Sequence, residues 1–155
     1  MNDVLNVADA MLKIAKSHGK SLTPMQLMKL VYIAHGFSLA MRQRELFHNK
    51  IEAWQYGPVI PDLYHATKQH GRKLIPQSSV GPVDSISVSH DERRLLEEVF
   101  EKYGHLDGIQ LSYLTHQSGT PWYEVYVPNV SRIPIANDRI QKHYQDLISA
   151  RRQAS

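Results

Sequence analysis

The chain has 155 residues, 42% of them apolar and 21% charged, and no cysteine. That length supports one core rather than two ordinary domains; the missing cysteines exclude disulfide frameworks, thiolate zinc sites and cysteine nucleophiles, and fit a reducing cytoplasm. A net charge of +3 is too mild to argue for nucleic acid, Asp3 and Asp9 spoil a signal-peptide pattern, and no stretch approaches the roughly 20 apolar residues needed to cross a bilayer. The expectation is a single cytoplasmic domain over residues 1–155 with no membrane segment.

Asp3 can cap a first helix, whose apolar positions Val4, Val7, Ala8, Met11, Leu12 and Ala15 recur at three- and four-residue steps until His18-Gly19. Thr23 before Pro24 marks a second start, since proline suits the first helical position. This helix runs to about Met41 and is apolar on nearly every side, which places it in the middle of the domain. Gly36 within it costs about 1 kcal/mol against alanine, so a neighbour is expected to pack closely there.

From Ile51 to Tyr56 the side chains alternate as a short strand, broken by Gly57-Pro58. Pro61 opens a third helix that Gly71 closes after His70. Val83 to Val88 reads as a second short strand, with the 51–56 strand as its partner. Ser89 and Glu92 have capping-box spacing before a helix that ends at Gly104. Asp107 caps another that Gly119 and Pro121 stop, and Asn137 or Asp138 starts the last. The fold class is therefore mainly α, about six helices around a buried central one, with a small β-hairpin or short sheet.

Chemistry-bearing patterns are sparse. There is no HExxH, GxSxG, Walker or GxGxxG motif, and His65 and His70 lie about 140° apart round a helix, not on one face. No catalytic residue, metal ligand or cofactor is assigned, and the chain is read as a non-enzyme. The rival from that class is a small hydrolase or metal protein that uses His35, His65 or His116. A DNA-binding regulator would draw on Lys68, Arg72, Lys73, Lys142, Arg151 and Arg152, but these are scattered and nucleic acid is disfavoured. Trp54, Tyr56, Tyr64, Trp122, Tyr123 and Tyr126 fall in two stretches, and such rings dominate protein-binding hot spots. Aromatic core is the plainer reading of each one.

"LMKLVYIAHGFSLA" at 27–40 and "ELFHNKIEAWQYGPVIPDLYHATKQHG" at 45–71, with "YLTHQSGTPW" at 113–122 and "IPIANDRIQKHY" at 133–144, resemble the SocA-like or GepA-like phage-associated family, whose shared region is also called the Panacea antitoxin domain. The resemblance implies an antitoxin that neutralises a cognate toxin, encoded beside it, by direct protein–protein binding. It also implies, from one relative, an adaptor that delivers the toxin to a protease or its unfoldase. The expected partner-binding residues are Trp54, Tyr56, Gly57, Pro58, Tyr64 and Trp122. The toxin's identity and the oligomeric state are not set by the pattern.

Overall fold

A computed structural model of the chain describes residues 2–76, 80 and 87–154. Among them the elements run α1 (Val4–Ser17), α2 (Pro24–Arg42), β1 (Glu52–Trp54), β2 (Gly57–Val59), α3 (Pro61–Thr67), a 3-10 turn (Lys68–His70), α4 (His90–Tyr103), α5 (Gly108–His116), α6 (Pro121–Val125), β3 (Ile133–Pro134) and α7 (Asn137–Ala154). The molecule is mainly α with a small sheet, as the hydrophobic periodicity predicts.

Local chemistry accounts for the helix starts. Asp3 accepts from the Leu5 N–H. Thr23 with Gln26, Ser89 with Glu92, and Asp107 with Gln110 each form a reciprocal capping box, which pairs donors that the helix itself leaves open. Every residue from Leu27 to Leu39 is buried, and α1, α3, α4, α5 and α7 all pack on α2. The predicted core positions Leu27, Leu30, Tyr32 and Ala34 are all inside.

Gly36 meets its close neighbour. A Cβ there would lie 2.3 Å from Cδ2 and Cε2 of Tyr144, so the bare glycine lets α7 lay a tyrosine ring directly on the α2 backbone.

Three expectations are corrected, and a fourth falls largely outside the described residues. Gly57-Pro58 does not end the β structure. Gln55 and Tyr56 form a two-residue turn and Gly57, Pro58 and Val59 return antiparallel, pairing with Trp54, Ala53 and Glu52. Gly57 supplies the required φ of +119°, and Pro58 is tolerated because β2 is an edge strand in the order β2-β1-β3. The strand expected at Val83–Val88 lies outside the described residues except for Ser87 and Val88, and both edges of β1 are taken by β2 and β3. Pro121 does not merely stop α5: it is the first residue of α6, which Thr120 caps through the Tyr123 N–H. The third helix is also shorter than expected, ending at Thr67 before the 3-10 turn, and Gly71 follows with φ +55°. Among the described residues no helix is long and apolar enough to cross a membrane.

Candidate functional site

The β1–β2 hairpin is held from behind by three helices. The indole Nε1 of Trp122 on α6 donates to the Trp54 carbonyl at 2.5 Å. Ser112 Oγ on α5 donates to the Tyr56 carbonyl at 2.5 Å. Lys29 Nζ on α2 donates to the Pro58 carbonyl at 2.7 Å. Backbone groups that a two-stranded ribbon would leave to water are thereby tied to the helical body, which stabilises a hairpin that is marginal by itself.

Once tied, the hairpin turns its rings outward. Trp54 meets Tyr64 of α3 edge to face, with ring centroids 4.8 Å apart, and its indole N–H donates to Glu52 Oε1 at 2.9 Å. Tyr56, at the tip, is 63% exposed. Together with Met25 and Met28 these rings wall a cleft of about 410 Å³ that Lys29 also lines. A second depression of about 740 Å³ shares Met25 and Tyr56 and is continued by α5, where Ile109 is 79% and Tyr113 65% exposed. Contiguous exposed apolar surface of this kind marks binding sites more than it does ordinary surface.

Of the six residues expected to meet a partner, Trp54, Tyr56 and Tyr64 share this face. Gly57 and Pro58 are buried in β2. Trp122 stands behind the hairpin, 8% exposed and stacked on Tyr126 at 4.5 Å; it positions Trp54 through its hydrogen bond. The face also holds Ile109 and Tyr113, and the cleft Lys29, none of which the sequence reading names as a partner contact. A lysine inside a run that is apolar on every side was the available signal.

Lys29 is 2% exposed, and burial lowers its pKa from 10.5 to about 7. A Cβ on Gly57 would lie 2.9 Å from its Nζ and 3.4 Å from Thr115 Oγ1, so the glycine also leaves room for the ammonium.

The histidines named for an enzymatic alternative have different surroundings. His35 is buried and stacked on Phe47. Its Nδ1 accepts from the Leu46 N–H at 3.3 Å, so its Nε2–H donates to Asn137 Oδ1 at 2.9 Å, and Asn137 Nδ2 donates in turn to Glu45 Oε1 at 2.7 Å. This chain ties the start of α7 to α2. Burial lowers the His35 pKa, against the Asn137 hydrogen bond and the Glu45 charge, which pull the other way. His65 lies edge-on to Tyr64, and His116 packs against Trp122 with Nδ1 close to the Ser112 carbonyl. Among the described residues no three His, Asp or Glu side chains gather where they could hold a metal. Two of the basic residues considered for nucleic acid are engaged on the protein: Arg151 donates to Tyr103 Oη at 2.7 Å and Lys142 pairs with Asp146 at 3.0 Å.

No solved structure matches the chain. Antitoxin SocA of Caulobacter vibrioides (strain NA1000 / CB15N) is 31% identical over 129 residues, an alignment that spans 77% of this chain and 68% of that protein. Residues 27–123 match the family described as "Antitoxin SocA-like, Panacea domain". That span holds α2 from Leu27 onward, the hairpin, α3, α5 and Trp122, which build most of the exposed face and the ties behind it, and the chain accordingly belongs to the SocA-like antitoxins of the Panacea domain family.

Proposed function

We propose that this chain is the antitoxin of a toxin–antitoxin pair, acting in the cytoplasm by binding a cognate toxin encoded beside it. The observation that carries the reading is the exposed apolar face around Tyr56, Tyr64, Ile109 and Tyr113, built on a hairpin tied down at three carbonyls. Membership of an antitoxin family supports the role. A rigid ring-bearing hairpin loses little conformational entropy on docking, so its buried area converts efficiently into affinity. Trp54, Tyr56 and Tyr64 make the contact, while Gly57, Pro58 and Trp122 hold the hairpin in the geometry that presents them. Binding over this face would cover the toxin's working surface or lock it in an inactive shape.

Co-expression with the product of the adjacent gene is the test. Growth rescue and a copurifying complex are expected, and Tyr56→Ala should weaken binding by about thirtyfold, in line with a hot-spot loss of roughly 2 kcal/mol. Its unfolding free energy should stay within about 0.5 kcal/mol of wild type, because the ring is exposed. Absence of both rescue and complex sinks the reading. A toxin whose half-life shortens only when the antitoxin and a cellular protease are both present would add the adaptor role.

A further inference from the structure

Each of the three hairpin ties needs only one donor. Ser112 and Trp122 supply theirs with neutral groups, whereas Lys29 brings an ammonium. An ammonium has three donors, and the one hydrogen bond of Lys29 Nζ among the described residues is to the Pro58 carbonyl. Withdrawing a charge from water without an opposite charge is expensive, a cost that shows as the lowered Lys29 pKa, and a hydroxyl or indole donor would have tied β2 without it.

Lys29, though 2% exposed, is one of the residues that line the cleft walled by Trp54, Tyr56 and Tyr64. Among the described residues no carboxylate lines that cleft, Glu52, which accepts from the Trp54 indole N–H, being outside its lining; its other titratable groups are Tyr56, Tyr64 and Lys68. The depression beside it adds Arg72, His116 and Tyr113 and one acid, Asp107, whose Oδ1 already accepts from the Gln110 N–H at 2.8 Å to cap α5. From α5, packed behind β2, the group nearest the Gly57 position is the neutral hydroxyl of Thr115. The cleft is thus apolar in its walls and cationic in its charges. At about 410 Å³ it lies near the small end of ligand sites, roughly 300–1,000 Å³, which suits one or two side chains rather than a whole helix.

We infer that the cleft over Lys29 is a receptor for a side-chain carboxylate, a glutamate or aspartate set among apolar residues on the partner protein, with Lys29 Nζ as its ligand and Trp54, Tyr56 and Tyr64 as its walls. The occupant follows from charge complementarity and from the donors of Lys29 that Pro58 leaves open. The inference rests on the protein-binding reading of this face and names the chemistry of the segment that docks. Because the free lysine titrates near neutrality, seating a carboxylate restores its proton. Binding therefore takes up a proton above pH 7, and affinity falls as the pH rises.

The test uses three capped peptides, titrated at millimolar concentration against the full chain while the two tryptophan indole N–H resonances are followed: acetyl-Leu-Glu-Leu-amide, its Gln counterpart, and acetyl-Leu-Gln-Leu with a free C-terminal carboxylate. The Glu peptide is expected to shift the Trp54 resonance and to bind about tenfold or more tightly than the Gln amide, the scale of one charge-assisted hydrogen bond. That preference should shrink from pH 7 to pH 9 and vanish in Lys29→Met. Equal binding of the Glu and Gln amides, no shift with either, or a Glu preference that survives Lys29→Met overturns the inference. A free-carboxylate peptide that binds better than the Glu amide overturns the assignment to a side chain. The comparison on the wild-type chain decides the matter even if Lys29→Met does not fold. Failure of the adjacent gene's product to bind would remove the toxin as partner and leave the peptide result to judge the cleft.

Discussion

Between pH 7 and 10.5 an unfolded chain keeps the proton on Lys29 while the folded chain releases it, because burial holds the folded pKa at about 7. The unfolded state then binds more protons, so stability rises with pH across that window, by up to about 1.4 kcal/mol per unit. Burial also lowers the folded pKa of His35 from 6.5. The same sign applies there: the stability of the neutral imidazole is present above 6.5 and is lost as the pH falls toward the folded value. Tyr32 and Tyr144 act in the opposite sense. Burial raises both above 10, so above that pH the unfolded tyrosines ionise first and stability declines. Urea unfolding from pH 5 to 11 should show stability climbing to a maximum just below pH 10, and Lys29→Met should flatten the climb above pH 7. An unchanged alkaline limb in that variant would show that Lys29 keeps its proton in the fold.

At the scale of elements, the contact that most constrains the packing is α2 against α7. Replacing Gly36 with alanine would improve helix propensity by about 1 kcal/mol, yet its Cβ would fall 2.3 Å from the Tyr144 ring. That ring has little room to retreat, being buried, with Phe37 at 4.8 Å and His143 at 4.9 Å between centroids. Overpacking of this sort costs about 1–3 kcal/mol, so Gly36→Ala should lower the thermal midpoint despite the gain in propensity. Shrinking the ring with Tyr144→Leu in the same chain should recover part of the loss. A Gly36→Ala chain that melts higher than wild type would mean that α7 stands further from α2.

At the scale of the molecule, the family match at residues 27–123 is narrower than the unit that buries the core. α1 places Val4, Val7, Ala8, Met11 and Leu12 inside, and α7 adds Ile140 and Tyr144. Burying one large apolar side chain stabilises by roughly 1.5–3 kcal/mol, and a typical domain has only about 5–15 kcal/mol in total. A chain cut to residues 27–123 should therefore show no cooperative thermal transition, and restoring both helices should bring it back. A fragment that melts sharply without them would show that α2 is covered well enough by α3, α4 and α5.

The helices were legible in the sequence because their signals are local: Thr23 before Pro24, Ser89 three residues ahead of Glu92, Asp107 ahead of Gln110, and a central run apolar on every side. The family was legible too, since "AWQYGPVIP" carries its resemblance in consecutive residues. The tertiary structure alone decided what shape that corner takes. A strand broken at Gly57-Pro58 and a hairpin turning at Gln55-Tyr56 share one apolar pattern, and the hairpin is selected by donors on α2, α5 and α6, the last two 56 and 68 residues away from the carbonyls they tie. Burial divided the expected contact residues in the same way: Trp122 turns inward to the Trp54 carbonyl while Tyr56 turns outward. A side chain's exposure depends on what the rest of the chain brings against it, and Lys29 lines a cleft only because α2, the hairpin and α3 meet around it.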